Sequence, residues 1–308
     1  MWLILSLVAL VLSSHWMVKS LVIISRFLRM SEFLAAYIIM AISTSLPELF
    51  IGINAAINLN SSLSLGNVIG ANLVNLSLVA GIGLIFVGKF TVKSKEIKRD
   101  SLHMFFIALV PLFLMIVGGG LSRIDGAILV FIFVVYNYLL IKKQAAHTKL
   151  LENHVKKYQM IIAPVIFVGC LLLLFGSSHF AILFALEVSG GLGVPAILIG
   201  LVLLALGTTL PELSFTLSSF MSHHGELSLG NLVGSVITNS TLVLGITAMI
   251  FPIVAGFFTF LIASLFMVFA LFLFVTFIGS GKLGYKEGMS LVGLYVLFII
   301  IQIYVNVL

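Results

Sequence analysis

The chain has 308 residues, of which 61% are hydrophobic and 8% are charged, and its formal net charge is +6. Soluble domains carry roughly a quarter charged residues, so this composition excludes a soluble protein and indicates a chain that lies in a lipid bilayer. The single cysteine excludes an internal disulfide.

The hydrophobic stretches predict ten membrane-spanning helices, since a span needs about 20 mostly apolar residues. In chain order they cover residues 2–25, 33–58, 64–88, 102–120, 124–142, 159–185, 193–221, 226–250, 254–279 and 286–307. We interpret the first stretch as a span and not a signal peptide, because Met1–Leu12 lacks a basic start and a small-residue cleavage pattern.

One motif occurs twice, as AISTSLPE at residues 41–48 and as ALGTTLPE at residues 205–212, 164 positions later. The same offset relates LSLGN at Leu63–Asn67 to LSLGN at Leu227–Asn231, which indicates an internal duplication. Five spans per copy is an odd number, so the second copy enters the membrane from the opposite side. The predicted fold is an all-α polytopic membrane protein of ten transmembrane helices in two inverted five-helix repeats. The repeats cover residues 1–143 and 159–308, and a basic linker covers residues 144–158.

The basic residues predict the orientation of the chain. With the N-terminus outside, only Arg123 falls in an outer loop, and Lys19 lies near the inner end of the first span. The inner loops then hold Arg26, Arg29, Lys89, Lys93, Lys95, Lys98, Arg99, Lys142, Lys143, Lys149, Lys156, Lys157, Lys282 and Lys286. The positive-inside rule therefore predicts that both termini lie outside and that the basic loops are cytoplasmic. The expected location is the inner (plasma) membrane of a prokaryote. The positive charge then faces an anionic leaflet, and no nucleic-acid partner is expected.

Among the ten acidic residues, Glu48 and Glu212 alone fall deep within predicted spans. A charge at the bilayer centre costs at least ~2.5–3.5 kcal/mol, so such residues usually mark a path for ions or substrates. The structural alternative is a protonated glutamate that bonds to a neighbouring helix. The symmetric pair in matching polar sequence favours an ion path.

The residues beside each glutamate predict a set of oxygen ligands. Pro47 and Pro211 have no N–H and should break each helix, which would free the backbone carbonyls of Ala41, Thr44, Ala205 and Thr208. Hydroxyls come from Thr44, Ser45, Thr208 and Thr209. Hard cations such as Ca²⁺ and Na⁺ prefer oxygen ligands, and two carboxylates balance one Ca²⁺.

Asn75 and Asn239 repeat at the same offset and add an amide from each copy. A buried amide needs partners, and a cation is one of them; a hydrogen bond between helices is the alternative. The glycines at 66, 70, 230 and 234 are interpreted as close packing positions against the broken helices.

These motifs resemble those of the cation/calcium exchangers, and the sodium/calcium exchanger branch is the most similar. The resemblance covers nearly the whole chain and implies four clustered cation sites, in which Glu48 and Glu212 bridge several ions. It implies a Ca²⁺ site with the carbonyls of Thr44 and Thr208, with Asn75 and Asn239 facing the centre. An inner Na⁺ site would use the Ala41 carbonyl, Thr44, Ser45, Glu212 and Ser235. An outer Na⁺ site would use the Ala205 carbonyl, Thr208, Thr209 and Glu48.

Three positions depart from the pattern of this family. Ser43 stands where the first motif commonly has glycine, and Asn239 stands where some prokaryotic members carry aspartate. Ala71 stands where a serine matching Ser235 is expected, so the outer Na⁺ site loses one hydroxyl.

The sequence thus predicts a secondary antiporter that exchanges Na⁺ for Ca²⁺ by alternating access, with the first and sixth spans as the moving bundle. It is expected to have no enzyme activity and no cofactor, and to act as a monomer whose partners are Ca²⁺, Na⁺ and the bilayer. A proton-coupled antiporter of the same fold is the alternative, since buried glutamates can carry protons. A cation channel is less favoured, because channels usually build their filters around a central axis.

Overall fold

The computed structural model describes residues 2–27, 42–144, 157–221 and 225–307, and nearly all of them are helical. Three sequence predictions fall outside these residues: the first part of the span 33–58, the carbonyl ligand Ala41, and most of the linker 144–158.

The helices follow the same order in the two halves wherever both are described, whereas the short strand lies at a different place in each half. The first half contains α1 (Trp2–Phe27), α2 (Leu46–Ile57), α3 (Ser61–Val74), α4 (Ala80–Val87), β1 (Lys89–Thr91), α5 (Lys95–Gly118) and α6 (Arg123–Gln144). The second contains α7 (Lys157–Leu192), α8 (Ala196–Ile199), α9 (Ala205–Thr208), α10 (Leu210–Met221), α11 (Gly225–Thr238), α12 (Leu244–Ile250), α13 (Phe257–Ser280), β2 (Lys282–Gly284) and α14 (Tyr285–Val307). Five-residue π-helical turns join α3 to α4 (Asn75–Val79), α8 to α9 (Gly200–Leu204) and α11 to α12 (Asn239–Val243).

Long apolar helices confirm a polytopic helical membrane protein. Within the described ranges, seven helices are long and apolar enough to cross a membrane, and the bent pair Ala196–Thr208 and Leu210–Met221 makes an eighth. The apolar stretches Trp2–Met17 and Leu46–Ile57 are shorter. The count of ten spans and the inverted relation of the two halves stay predictions.

Two helices extend beyond the predicted spans. The span predicted at 102–120 begins at Lys95, because Ser94 caps the helix and its side chain accepts a hydrogen bond from the Ile97 N–H. The span predicted at 159–185 extends over Lys157–Leu192. Hydropathy locates only the apolar part of such a helix, whereas the backbone hydrogen bonds continue into its polar turns.

The buried side chains form two separate clusters. The larger cluster joins both halves of the chain and contains residues such as Leu73, Leu76, Leu232, Ile237 and Phe298. The smaller cluster is built mainly by α1 and α7, with Leu10, Met17, Leu174 and Ile182 among its members. Helices α1 and α7 pack along each other more extensively than any other pair of elements. They therefore form a bundle, and because the smaller cluster also contains Ile51 and Ala55 of α2, it is where this bundle packs on the rest of the molecule.

Short backbone pairings join the two halves at two places. β1 and β2 pair antiparallel, with Phe90 opposite Leu283. Leu121, between α5 and α6, exchanges two hydrogen bonds of 2.9 Å with Ile253, between α12 and α13. These pairings join stretches that were expected to be plain loops between spans.

Candidate functional site

The second copy of the motif breaks its helix where Pro211 predicts a break. The helix segments Ala196–Thr208 and Leu210–Met221 meet at Thr209 with a bend of 41°. Because proline has no N–H, the carbonyl four residues earlier, at Gly207, loses its helical partner. In the first copy, Ser45 precedes α2 and Pro47 lies in the first turn of that helix.

The Ala205 carbonyl is not free, contrary to the expectation from the sequence. It accepts hydrogen bonds from the Thr209 N–H at 3.1 Å and from the Thr209 hydroxyl at 2.8 Å. The physical reason is that Pro211 removes the donor to Gly207, while Thr209 still reaches back one turn to Ala205. Ala41, which holds the matching position, lies outside the described residues.

Glu48 and Glu212 are fully buried near each other. Both side chains have 0% exposure, and they lie close enough for their charges to repel. Among the described residues, none of the four carboxylate oxygens has a hydrogen-bond partner. Two unsatisfied buried carboxylates are costly, so they require a compensating positive charge or protons.

The threonines beside the glutamates contact the opposite copy of the motif. Thr208 faces the Glu48 carboxylate, and Thr44 faces the Glu212 carboxylate. The Thr44 and Ser235 hydroxyl oxygens are 3.1 Å apart, and the Thr208 hydroxyl donates to Asn67 Oδ1 at 3.3 Å. The two broken helices therefore meet at one place, with their hydroxyls between the two carboxylates.

The hydroxyls of Ser45 and Thr209 differ in their surroundings. The buried Ser45 hydroxyl has no hydrogen-bond partner within the described parts of the chain. Thr209 uses its hydroxyl to donate to the backbone of its own helix, at Ala205. Both oxygens therefore keep lone pairs that a cation can bind, because the Thr209 hydroxyl uses only its hydrogen in the bond to Ala205.

Asn75 and Asn239 begin matching π-helical turns. The side chain of Asn75 has no partner on either amide atom among the described residues, and the same holds for Oδ1 of Asn239. The Asn239 amide N–H donates to Asn72 Oδ1 at 3.2 Å, and Asn72 in turn donates to the Ser240 hydroxyl at 2.9 Å. A π turn holds one extra residue, which rotates the side chains that follow it. Each π turn thus begins at the asparagine that the sequence predicts as a ligand.

Sequence reasoning missed Asn67, Asn72 and Ser240 as neighbours of the candidate site. Asn67 was part of the repeated LSLGN motif, so its repetition was a signal that could have been used. Asn72 and Ser240 have no polar counterpart at the offset of 164, where Val236 and Leu76 stand. No repeat could therefore have found them.

The interpretation of the glycines as close packing positions is confirmed for Gly66 and Gly70. A methyl group on Gly66 would lie 2.2 Å from the Ile197 carbonyl oxygen, and one on Gly70 would lie 2.3 Å from that of Leu201. For Gly230 the interpretation is wrong, because a methyl group there would meet no atom within 4 Å. Its face of α11 points away from neighbouring helices.

The site as a whole offers carboxylate, hydroxyl and amide oxygens in a buried, water-poor place. The described ranges contain no group of three or more His, Cys, Asp or Glu side chains that could hold a metal ion. Soft transition metals would need imidazole or thiolate ligands, so hard cations such as Na⁺ and Ca²⁺ fit this set of atoms better.

The chain matches the model of the family described as "Sodium/calcium exchanger protein" over residues 1–142 and 162–304. It is 28% identical to the sodium/calcium exchanger MaX1 of Methanosarcina acetivorans over 98% of both chains. It is 25% identical to the inner membrane protein YrbG of Escherichia coli, over 81% of this chain and 79% of that one.

Solved structures of the sodium-calcium exchanger NCX_Mj have the same fold. One of them, soaked with 2.5 mM Na⁺ and 10 mM Sr²⁺, is 25% identical and superposes with a TM-score of 0.69 over 97% of this chain and 96% of that chain. Another, soaked with 2.5 mM Na⁺ and 0.1 mM Ca²⁺, superposes with a TM-score of 0.68.

Proposed function

The chain belongs to the sodium/calcium exchanger family, and we propose that it exchanges Na⁺ for Ca²⁺ at the buried pair Glu48 and Glu212. The observation that carries this proposal is that both carboxylates are fully buried and face hydroxyls of the opposite motif. One Ca²⁺ or two Na⁺ would neutralise the pair. Since these ions compete for the same carboxylates, only one loaded form crosses at a time, which makes the transport an exchange.

Each cation takes its remaining ligands from the residues around the pair. For Ca²⁺ these are the carbonyls of Thr44 and Thr208, with Asn75 and Asn239 at the centre. An inner Na⁺ would bind Ala41, Thr44, Ser45 and Ser235, and an outer Na⁺ would bind Thr208 and Thr209. The hydroxyl pair of Thr44 and Ser235, 3.1 Å apart, supports the inner set, because one Na⁺ can contact both oxygens. We leave the Ala205 carbonyl out of the outer set, since Thr209 already donates two hydrogen bonds to it.

Alternating access would come from the bundle of α1 and α7. The smaller cluster, in which the bundle packs on the rest of the molecule, is distinct from the larger core, and this supports a sliding motion of the bundle. Leu7 of α1 lies against Gly207, at the break of the second motif, so the bundle contacts the site that it would open and close.

The chain is a multi-pass membrane protein, and we place it in the cytoplasmic membrane with both termini outside. The lopsided distribution of Lys and Arg between the loops supports this orientation. It places β1 and β2 on the cytoplasmic side and Leu121 on the outer side.

The test is ⁴⁵Ca²⁺ uptake into Na⁺-loaded proteoliposomes under an outward Na⁺ gradient. We expect uptake in the wild type and none in Glu212→Gln, because glutamine keeps the shape but removes half of the charge that binds the cation. Glu187→Gln is the matched control, since Glu187 is an exposed glutamate on α7. Uptake driven by a proton gradient and not by Na⁺ would contradict the proposal in favour of proton coupling.

A further inference from the structure

Three polar side chains near Glu212 are buried without a hydrogen-bond partner. The hydroxyls of Thr216 and Ser228 and both amide atoms of Asn231 have none within the described part of the chain. Thr216 and Ser228 have 0% exposure, and Asn231 has 2%. Buried polar groups are normally paired, and each one left unpaired is costly, so three on one helix hairpin point to a ligand. We name Thr216, Ser228 and Asn231 the inner polar column.

The two helices hold the column at one depth of their hairpin. Helix α10 ends at Met221 and α11 begins at Gly225, and the two pack along each other. Thr216 lies five residues before the end of α10, and Asn231 lies six residues after the start of α11. At ~1.5 Å per residue, both therefore lie roughly 8–9 Å from the shared end of the two helices.

The column continues the candidate site. Thr216 follows Glu212 by four residues, so both side chains lie on one face of α10. Ser228, Asn231 and Ser235 are spaced by three and four residues, so they share one face of α11. Ser235 contacts Thr44 in the site itself. A cation that leaves Glu212 and Ser235 along this hairpin therefore meets the inner polar column one turn later.

The matching positions of the first half are different. The offset of 164 relates Thr216, Ser228 and Asn231 to Gly52, Ser64 and Asn67. Gly52 has no side chain, and the Ser64 hydroxyl lies 3.2 Å from that of Thr247. Asn67 Oδ1 accepts from Thr208, and only the Asn67 amide nitrogen has no partner among the described residues. The unpartnered column is therefore a property of the second half and not of the duplicated fold.

We propose that the inner polar column is an additional binding station for Na⁺, between Glu212 and the end of the α10–α11 hairpin. This inference rests on the proposed exchange function. The station offers neutral oxygens and no carboxylate of its own: the nearby Glu226 accepts hydrogen bonds from the backbone N–H groups of Lys93 and Ser94 at 2.6 and 2.8 Å. Ca²⁺ prefers six to eight oxygens that include carboxylates, whereas a monovalent ion can bind to neutral dipoles and water.

An aromatic pair closes the hairpin end beyond this station. The rings of Phe220 and Phe90 meet edge to face at 5.6 Å, and a methyl group on Gly225 would lie less than 3 Å from both. The pair lies beside Gly225, at the start of α11, so an ion that moves from the station toward the end of the hairpin would pass close to it.

The test measures the half-saturating Na⁺ concentration for exchange separately from each face, in inside-out and right-side-out vesicles. Ser228→Ala and Thr216→Val each remove one oxygen without adding bulk. We expect each to raise the half-saturating Na⁺ on the inner face about three- to tenfold, which corresponds to the loss of one ion–dipole contact. The values for outer Na⁺ and for Ca²⁺ should stay unchanged. Ser64→Ala is the matched control, because that hydroxyl is already paired.

A second measurement uses a thiol as a reporter at the station. In a Cys170→Ala background, Asn231→Cys should react with a small cationic methanethiosulfonate reagent, and Na⁺ should slow the reaction. At ten times the half-saturating Na⁺ concentration the free fraction falls to roughly one-eleventh, so we expect about tenfold slowing relative to choline.

Three results would overturn the station while leaving the exchange function intact. They are unchanged inner Na⁺ dependence in both hydroxyl variants, an equal shift in Ser64→Ala, or a thiol that reacts equally fast in Na⁺ and choline. A wild type without Na⁺-driven uptake would instead refute the exchange function, and the station with it.

Discussion

At the residue scale, the two glutamates share a motif but have different neighbours. Thr44, which faces Glu212, pairs with the hydroxyl of Ser235. Thr208, which faces Glu48, bonds to the Asn67 amide oxygen instead. The position that matches Ser235 is Ala71, which is buried and has no hydroxyl to offer. The surroundings of Thr208 therefore lack the hydroxyl that Ser235 supplies beside Thr44.

Ala71→Ser should restore this missing oxygen. We expect the half-saturating outer Na⁺ concentration to fall about fivefold, since one added polar contact is worth about 1 kcal/mol. Ser235→Ala is the opposite change and should raise the half-saturating inner Na⁺ by a similar factor. Steady-state ⁴⁵Ca²⁺ uptake at varied Na⁺ gives both values. An unchanged Na⁺ dependence in Ala71→Ser would show that position 71 does not face the outer cation.

At the scale of the elements, α3 crosses the broken helix of the second half at very close range. A methyl group on Gly66 or Gly70 would strike carbonyl oxygens of Ile197 or Leu201, and one on Gly200 would lie 2.4 Å from the Leu63 carbonyl oxygen. Only glycine allows the two backbones to approach so closely, which fixes the break at Thr209 against α3. The position of the site thus depends on residues that carry no side chain.

Gly66→Ala should weaken this crossing. We expect a loss of about 1–3 kcal/mol of stability, because an added methyl group forces the backbones apart. Thermal unfolding in detergent and the yield of monodisperse protein would both report the loss.

Gly230→Ala is the matched control for this change, because Gly230 holds the equivalent position in the second half and has open space around it. There we expect no loss, or a gain of up to about 1 kcal/mol from the better helix propensity of alanine. Equal destabilisation by both changes would contradict the close crossing.

The sequence predicted the shape of the helices only where a local rule applied. Pro211 predicted the bend at Thr209, since a missing N–H and a steric clash act within one turn. The π turns at Asn75 and Asn239 were not predicted, because nothing in the residues themselves favours a π turn over an α turn. The pairing of β1 with β2 joins residues nearly 200 positions apart, and no periodicity within either segment indicates it. The partners of Asn72 depend in the same way on how two helices meet.

At the scale of the whole molecule, the orientation of the chain in the membrane decides which side of the bilayer each cation position faces. Exposed Arg123 lies at the start of α6, and exposed Lys282 begins β2, between α13 and α14. The two basic residues are predicted to lie on opposite sides of the membrane. In a Cys170→Ala background, Arg123→Cys should react with an impermeant thiol reagent in intact cells.

Lys282→Cys should react only after the cells are permeabilised, because its loop belongs to the basic set that the positive-inside rule predicts to be cytoplasmic. The reverse pattern would mean that the chain has the opposite orientation in the membrane, and the inner and outer cation positions would then be exchanged. A reaction of both cysteines in intact cells would contradict a single orientation.

The backbone pairings join the two halves of the chain independently of the peptide between them. The pairing of β1 with β2 is extended by backbone hydrogen bonds from Val92 to Gly281 and from Tyr285 to Gly88. The hydrogen bonds between Leu121 and Ile253 form a second pairing between the halves. Together with the shared hydrophobic core, these pairings should hold the halves together without the peptide that links them. The two halves, synthesised as separate polypeptides divided between residues 148 and 149, should therefore assemble in the membrane, co-purify through a tag on either one, and regain ⁴⁵Ca²⁺ uptake. The covalent link would then matter for the order of synthesis and not for the working transporter.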